Sequence, residues 1–225
     1  MYRYFKLSIV GCLFVVTGCA TLEQKRQAIE ASLDESERAY LVGKYSTQCK
    51  GNSNKTKCAQ HFNSISVSFK STDNDRIWDR LASTQGGFSG NSVYDEVKPE
   101  LDEKSIYFCR ILPEGEYKFY TTSYWNYAGG GSGYSLRKED YFTVPFSLKA
   151  EKITTVDHIK LTTRQGKNLI GLALTLPGQL ELKPLSEEEL SLAIKKCPVE
   201  AHDKPIVQSG LSEKEYSSPF VRSVN

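Results

Sequence analysis

Residues 105–121 read Ser-Ile-Tyr-Phe-Cys-Arg-Ile-Leu-Pro-Glu-Gly-Glu-Tyr-Lys-Phe-Tyr-Thr, and this stretch decides the fold class. Residues 105–112 are rich in aromatic and β-branched side chains, which suit a strand. Pro113-Glu114-Gly115-Glu116 is a turn, because proline presets φ and glycine accepts positive φ. Tyr117, Phe119 and Thr121 then resume an alternation of period two, the mark of a half-buried strand. The same pattern recurs on both sides. Ile65, Val67 and Phe69 alternate with Ser64, Ser66 and Ser68, and Phe142, Val144, Phe146 and Leu148 alternate cleanly. Pro145 within that last run marks an edge strand or a bulge. Residues 40–46, 153–161 and 169–176 complete a set of about seven short strands. The expected fold is mainly β, an antiparallel β-sandwich.

Two helices flank these strands. Residues 21–39 open on Thr21 and Gln24, a capping box, and carry a thin apolar stripe of Leu22, Ile29, Leu33 and Tyr40. That thinness predicts a loosely packed stalk. A second helix follows Pro184: Ser186 caps it, Glu187, Glu188 and Glu189 fill its first turn, and Leu190, Ala193, Ile194 and Cys197 share one face. Pro198 ends it. Residues 198–225 show little periodicity and read as an irregular tail.

At the start of the chain, Arg3 and Lys6 precede an apolar run over residues 7–16, broken only by Ser8 and Gly11. A bilayer span needs about 20 apolar residues, so this run is too short to cross and fits the core of an export signal. It ends in Val16-Thr17-Gly18-Cys19-Ala20, which resembles the lipobox of bacterial lipoproteins. That resemblance implies cleavage before Cys19, a diacylglycerol on the Cys19 thiol and attachment to the membrane through two or three acyl chains, since one chain alone binds only reversibly. Ala20, rather than Asp, implies sorting to the outer membrane, facing the periplasm, where the source has one. The organisation expected is therefore a signal peptide over 1–18, a lipidated N-terminus and helical stalk over 19–39, a sandwich with its C-terminal helix over 40–197 and a tail over 198–225.

The segment Leu112-Pro113-Glu114-Gly115-Glu116-Tyr117, with the strands at 142–148 and 153–161, also resembles a widespread class of small bacterial β-sandwich domains that share a Pro-x-Gly-x-Tyr turn. Many are lipoproteins of unassigned function. The likeness covers about a quarter of the chain, and residues 124–140 form a long insertion between its strands. It implies a fold and no activity.

Composition narrows the function. The full chain has 29 basic and 27 acidic side chains; losing Arg3 and Lys6 with residues 1–18 leaves 27 of each. A nucleic-acid binder would show a clustered basic excess, so that class is set aside. Four cysteines remain beyond Cys12 and Cys19: Cys49, Cys58, Cys109 and Cys197. In an exported chain they predict two disulfides, with three possible pairings. Cys49–Cys58 and Cys109–Cys197 are favoured: Gly51-Asn52-Ser53-Asn54 can close the first loop, and the second bond would staple the C-terminal helix to the sheet. No Cys-x-x-Cys spacing is present, so no zinc site, and no other metal or cofactor, is expected.

For catalysis, His61, His158 and His202 are the candidate imidazoles. Asp157 and His158 point to opposite faces of a strand and cannot pair. All three read as surface or lightly packed residues, and no catalytic residue is assigned. Gly129-Gly130-Gly131-Ser132-Gly133 lacks the Lys-Ser/Thr of a phosphate loop and reads as a hairpin tip. Tyr120, Tyr124, Trp125, Tyr127, Tyr134 and Tyr141 crowd around it. Two readings of these rings stay open: a long hairpin whose rings partly cover the sheet, or, because large rings with few rotatable bonds suit recognition, a contact surface of Tyr124, Trp125, Tyr127 and Tyr134 for another envelope protein or a glycan. The expectation is a non-enzymatic envelope module; the alternative is an envelope enzyme acting on cell-wall polymer through an unrecognised site.

Overall fold

The computed structural model describes residues 21–50, 62, 64–84, 94–126 and 132–224. These form two β-sheets and two α-helices. Helix α1 spans Leu22–Ala31 and α2 spans Glu187–Ile194; the strands are β1 Arg38–Lys50, β2 Ser64–Ser71, β3 Trp78–Thr84, β4 Glu96–Lys98, β5 Glu103–Pro113, β6 Gly115–Asn126, β7 Ser132–Ser135, β8 Val144–Leu148, β9 Ile153–Lys167, β10 Ala173–Lys183, β11 Ile206–Gln208 and β12 Val221–Ser223. The larger sheet runs β12-β10-β9-β1-β5-β4, with β11 also paired to β9. The smaller runs β3-β2-β6-β7, with β8 also on β6.

Three expectations need correction. The strands number twelve among the described residues, not about seven. The larger sheet is mixed rather than antiparallel, because β1 runs parallel to β9, β11 to β9 and β12 to β10. Residues 198–225 are not an irregular tail: they supply β11 and β12 and bury Ala201, Leu211 and Val221. Strands of three residues are too short to display a period. Pro145, by contrast, lies on β8, which among the described residues pairs on one side alone, with β6. An edge is where a residue without an N–H fits.

Alternation puts Val67, Phe69, Tyr117, Phe119, Val144 and Phe146 of the smaller sheet into one core with Leu41, Tyr45, Phe108, Ile159 and Leu161 of the larger. The opposite face of the larger sheet buries a second, smaller cluster of Tyr40, Val42 and Ile153 under Ala193 and Cys197. The expected cap forms: the Ser186 hydroxyl accepts from the Glu189 N–H, and the Glu189 carboxylate accepts from the Ser186 N–H. Just beyond α2, Cys197 is disulfide-bonded to Cys109 on β5. Their separation of 88 residues makes the cross-link worth about 4–5 kcal/mol in the chain-entropy model. Cys49 is disulfide-bonded too; Cys58, its expected partner, lies outside the described residues, as do Cys19 and the rest of the export signal.

Helix α1 keeps its Thr21–Gln24 capping box and has no buried residue, and β1 begins at Arg38 where helix was expected. A buried carboxylate holds α1 in place. Asp79 accepts bonds from Arg26 Nη2 at 2.8 Å and from Arg110 Nε at 3.1 Å. No described helix is long and apolar enough to cross a membrane.

The central strand carries the decisive irregularity. Val42 pairs with Thr155 and Lys44 with His158, so Gly43 of β1 faces two residues of β9, Val156 and Asp157. Asp157 is the extra residue, in a left-handed conformation at φ 62°. Such a bulge switches the faces of everything beyond it. Val156 points into the main core before it, and Ile159 and Leu161 point there after it. Gly43 has no alternative: a Cβ there would lie 2.8 Å from the Asp157 carbonyl oxygen and 2.9 Å from the Phe108 ring. Gly43→Ala should therefore cost about 1–3 kcal/mol through overpacking, read as a shifted urea-unfolding midpoint. A change below about 0.5 kcal/mol, the usual effect of a neutral surface substitution, would mean that the bulge adjusts freely.

Candidate functional site

The strand pairings gather the open connections at one pole. Ser64 faces both Thr84 and Trp125, and Lys50 faces Arg164. The strand ends that flank the β1–β2, β3–β4 and β6–β7 connections thus share an end with the β9–β10 hairpin. The Pro113–Gly115 turn, the Ser71–Ile77 turn and α1 lie at the other: Thr72 N–H donates to Glu116 O, Ala150 N–H to a Glu114 carboxylate oxygen, and Arg26 of α1 to Asp79 and the Arg80 carbonyl oxygen.

At the loop-bearing pole the expected aromatic surface divides. Tyr124 is 0% exposed and is core, which corrects its assignment to a contact surface. Its hydroxyl donates to the Leu176 carbonyl oxygen on the facing sheet, and Phe62 meets its ring edge-on at 4.7 Å between centroids. Burial pushes the phenol well above its ordinary pKa. Tyr134 stacks on Tyr124 at 6.0 Å and is half-buried. Trp125 lies on the opposite face of β6, half-exposed, its Nε1 donating to Ser135 Oγ at 3.1 Å. Gly133 is the floor beneath that indole: a Cβ there would come within 2.4 Å of the ring. Tyr127 and Gly129–Gly131 lie outside the described residues.

The neighbouring β9–β10 hairpin departs from the strand expected over 169–176. Instead the turn falls inside that apolar run, since Asn168 Oδ1 accepts from the Ile170 and Leu172 N–H groups and Gly171 takes φ 82°. The result is an exposed apolar tip, with Leu169 at 106% and Ile170 at 79% exposure, followed by Leu172 and Leu174. Alternation alone cannot tell an apolar strand from an apolar turn, so the sequence reading missed it.

The side chains with chemical potential lie elsewhere, on the outer face of the larger sheet beside α2. His158 Nε2 is 2.6 Å from Ser46 Oγ, which is 2.7 Å from Ser105 Oγ. Lys44 Nζ donates to Glu96 at 2.6 Å and to Glu189 at 2.7 Å, and Lys160 Nζ to Glu103 at 2.5 Å. Burial opposes the Lys44 charge, but its bonds to Glu189 and Glu96 outweigh this and hold the ammonium well above its ordinary pKa. Hydrogen bonding to Lys44 lowers Glu96 in turn. The expected surface histidine is thus a correction: His158 is buried, and burial, with help from the Lys44 charge, pushes its pKa down to about 4. As expected, Asp157 does not pair with it; the Asp157 carboxylate accepts the Ser212 N–H at 2.8 Å.

A serine beside a neutral imidazole has the groups of a nucleophile and its base. Yet Ser46 and Ser105 are also buried, and no carboxylate bonds the imidazole among the described residues. A substrate carbonyl would find no open path to Ser46 Oγ in this conformation. His202 Nε2 lies 3.2 Å from the Cys197 carbonyl oxygen, away from that cluster, and His61 lies outside the described residues. Among the described residues no group of three or more His, Cys, Asp or Glu could hold a metal ion.

No family model and no curated protein matches the sequence. Among solved structures, a leucine-rich repeat protein from Bacteroides thetaiotaomicron VPI-5482 is similar over 59% of this chain and 15% of its own, at 13% identity and a TM-score of 0.32. A candidate cell adhesion protein from Bacteroides uniformis ATCC 8492 is similar over 62% of this chain and 49% of its own, at 8% identity and a TM-score of 0.21. The chain therefore spans less than half the length of either.

The buried imidazole makes a pH prediction. An unfolded histidine titrates near 6.5 and this one near 4, so between those values the unfolded state binds more protons. Stability is full above pH 6.5 and falls as the pH drops toward 4, by about 3 kcal/mol from this group. His158→Gln keeps a partner for Ser46 and removes the titration. Its stability should fall less steeply than the parent's between pH 6.5 and 4.5 in urea unfolding. Parallel curves would mean that the imidazole is protonated in place.

Proposed function

We propose that this chain is a bacterial envelope lipoprotein, cut before Cys19 and lipidated on its thiol, that works as a non-enzymatic binding module. Its two sheets act as a β-sandwich scaffold. The observation that carries this reading is the separation of the poles. The chain comes into the fold at one end through α1, which begins three residues after Cys19, while the half-exposed ring of Trp125 and the β9–β10 tip stand at the other. A lipid at Cys19 would tether one end and leave the loop-bearing end to meet another envelope component, protein or glycan. The outer membrane, facing the periplasm, is the location that Ala20 favours.

Within that pole Trp125, with Tyr127, is the proposed contact, and Tyr124 and Tyr134 support it from the core side. A half-exposed indole over a glycine floor offers a rigid flat face. The alternative, an envelope enzyme acting on cell-wall polymer, is favoured only by the Ser46–His158 contact and would need α2 or its neighbours to move aside.

Two variants test the proposal. Cys19→Ser should leave the protein unprocessed or free of membranes; if it is still cut before residue 19 and sediments with membranes as before, the lipoprotein reading fails. Trp125→Ala with Tyr127→Ala should weaken crosslinking to partners in intact envelopes while the thermal unfolding temperature moves by only a few degrees. Undiminished crosslinking per folded molecule would remove the hairpin from the contact surface.

A further inference from the structure

We infer that the β9–β10 tip, Asn168–Leu172, enters the interfacial layer of an anionic lipid bilayer. The inference concerns the pole away from α1 and stands whether or not Cys19 carries lipid. Leu169, Ile170, Leu172 and Leu174 are all large, apolar and exposed within six residues, and Leu169 is fully exposed. Single exposed apolar residues are ordinary on a protein surface, whereas four together mark a contact.

Two observations point to lipid as the occupant. The first is how the turn closes on itself. Asn168 N–H donates to the Leu172 carbonyl oxygen and Gly171 N–H to the Asn168 carbonyl oxygen. The Asn168 side-chain oxygen takes the Ile170 and Leu172 N–H groups at 3.1 and 2.8 Å. Water would satisfy these amides without such an arrangement. A segment that leaves water for lipid must satisfy them itself, because an orphaned amide in hydrocarbon costs several kcal/mol. The second observation is charge. From residue 159 to residue 180 there is no acidic side chain, while Arg164 and Lys167 are exposed at the base of the tip. Apolar side chains ahead of a basic collar match acyl chains beneath anionic headgroups, where each basic residue contributes about 1 kcal/mol. A loop held in this way buries its apolar face about 5–10 Å into the boundary between headgroups and chains.

Residues 20–225 contain every described helix and strand together with the Cys109–Cys197 disulfide, and they lack Cys19, so vesicle binding by this body reports on the tip and not on an anchor. The body should sediment with vesicles of phosphatidylglycerol and phosphatidylethanolamine and much less with phosphatidylcholine. Leu169→Asp with Ile170→Asp should weaken that binding at least tenfold without altering thermal unfolding, because both side chains are exposed. Arg164→Gln with Lys167→Gln should remove the preference for anionic vesicles, and the fluorescence of an Ile170→Trp variant should shift to the blue on binding. No sedimentation of the parent body, or equal sedimentation of the Leu169/Ile170 variant, would overturn the inference. So would a dimer in solution that the same variant dissolves, or a protein crosslinked through residue 170 in place of lipid. Cleavage of Cys19→Ser before residue 19 bears on the lipoprotein reading alone, whereas vesicle binding by residues 20–225 bears on the tip alone.

Discussion

The left-handed bulge at Asp157, seated against Gly43, is the constraint on which both faces of the larger sheet depend. Strict alternation from Val156 would send His158 and Lys160 into the main core. The extra residue turns them outward and sends Ile159 and Leu161 inward. An unpaired imidazole and ammonium in that core would each cost several kcal/mol of desolvation, so the bulge decides whether β9 can be a central strand at all. The same residue also reaches the end of the chain, since the Asp157 carboxylate holds the Ser212 amide beside buried Leu211. One backbone irregularity thereby sets the parity of the sheet and docks the segment that precedes β12.

The outward-facing side chains are then sorted along the strands. Toward the α1 pole, Tyr40, Val42 and Ile153 form an apolar bed for α2, and the Cys109–Cys197 bond fastens its end. Toward the loops, Lys44, Ser46, Ser105, His158, Lys160 and Glu103 form a buried polar field. Buried ion pairs add little net stability against apolar packing, but losing one partner is expensive. Glu189 spans the two halves: it caps its own helix through the Ser186 amide and accepts a bond from Lys44. The placement of α2 follows from that double duty as much as from its apolar face.

Much of this was legible in the sequence wherever a local rule had one physical cause. The alternation of Phe142, Val144, Phe146 and Leu148 survives intact as buried positions, and both capping boxes close as their residue types require. The Cys109–Cys197 pairing is one of three that the four cysteines allow, favoured by the closable loop between Cys49 and Cys58 and compatible with a cysteine on the apolar face of a helix. What was illegible depended on partners distant in the chain or on one-residue choices. The parallel pairing of β1 with β9 has no local signature. Tyr124 and Trp125 are adjacent aromatics of similar character, yet one is sealed in the core and the other half-exposed. Only the register of β6 against β2 separates them. The shift of face at Asp157 likewise needed the Gly43 contact to be seen. As for the site, residue types marked the neighbourhood of the loop-bearing pole, but the apolar tip escaped notice because Leu and Ile there looked like strand interior.

The parallel register of the two central strands also has a consequence for the order of assembly. Tyr40 pairs with Ile153, over a hundred positions later, and the outermost partner of β10 is the last strand of the chain. Contacts so remote in sequence close slowly, because loop entropy is lost before the pairing repays it. A chain emerging N-terminus first would hold β1 beside β5 with one edge open until β9 had followed it out. The larger sheet is therefore completed late, once β9 has reached β1 and β12 has reached β10. If the chain is exported as proposed, this topology postpones completion of the larger sheet until β12 has crossed.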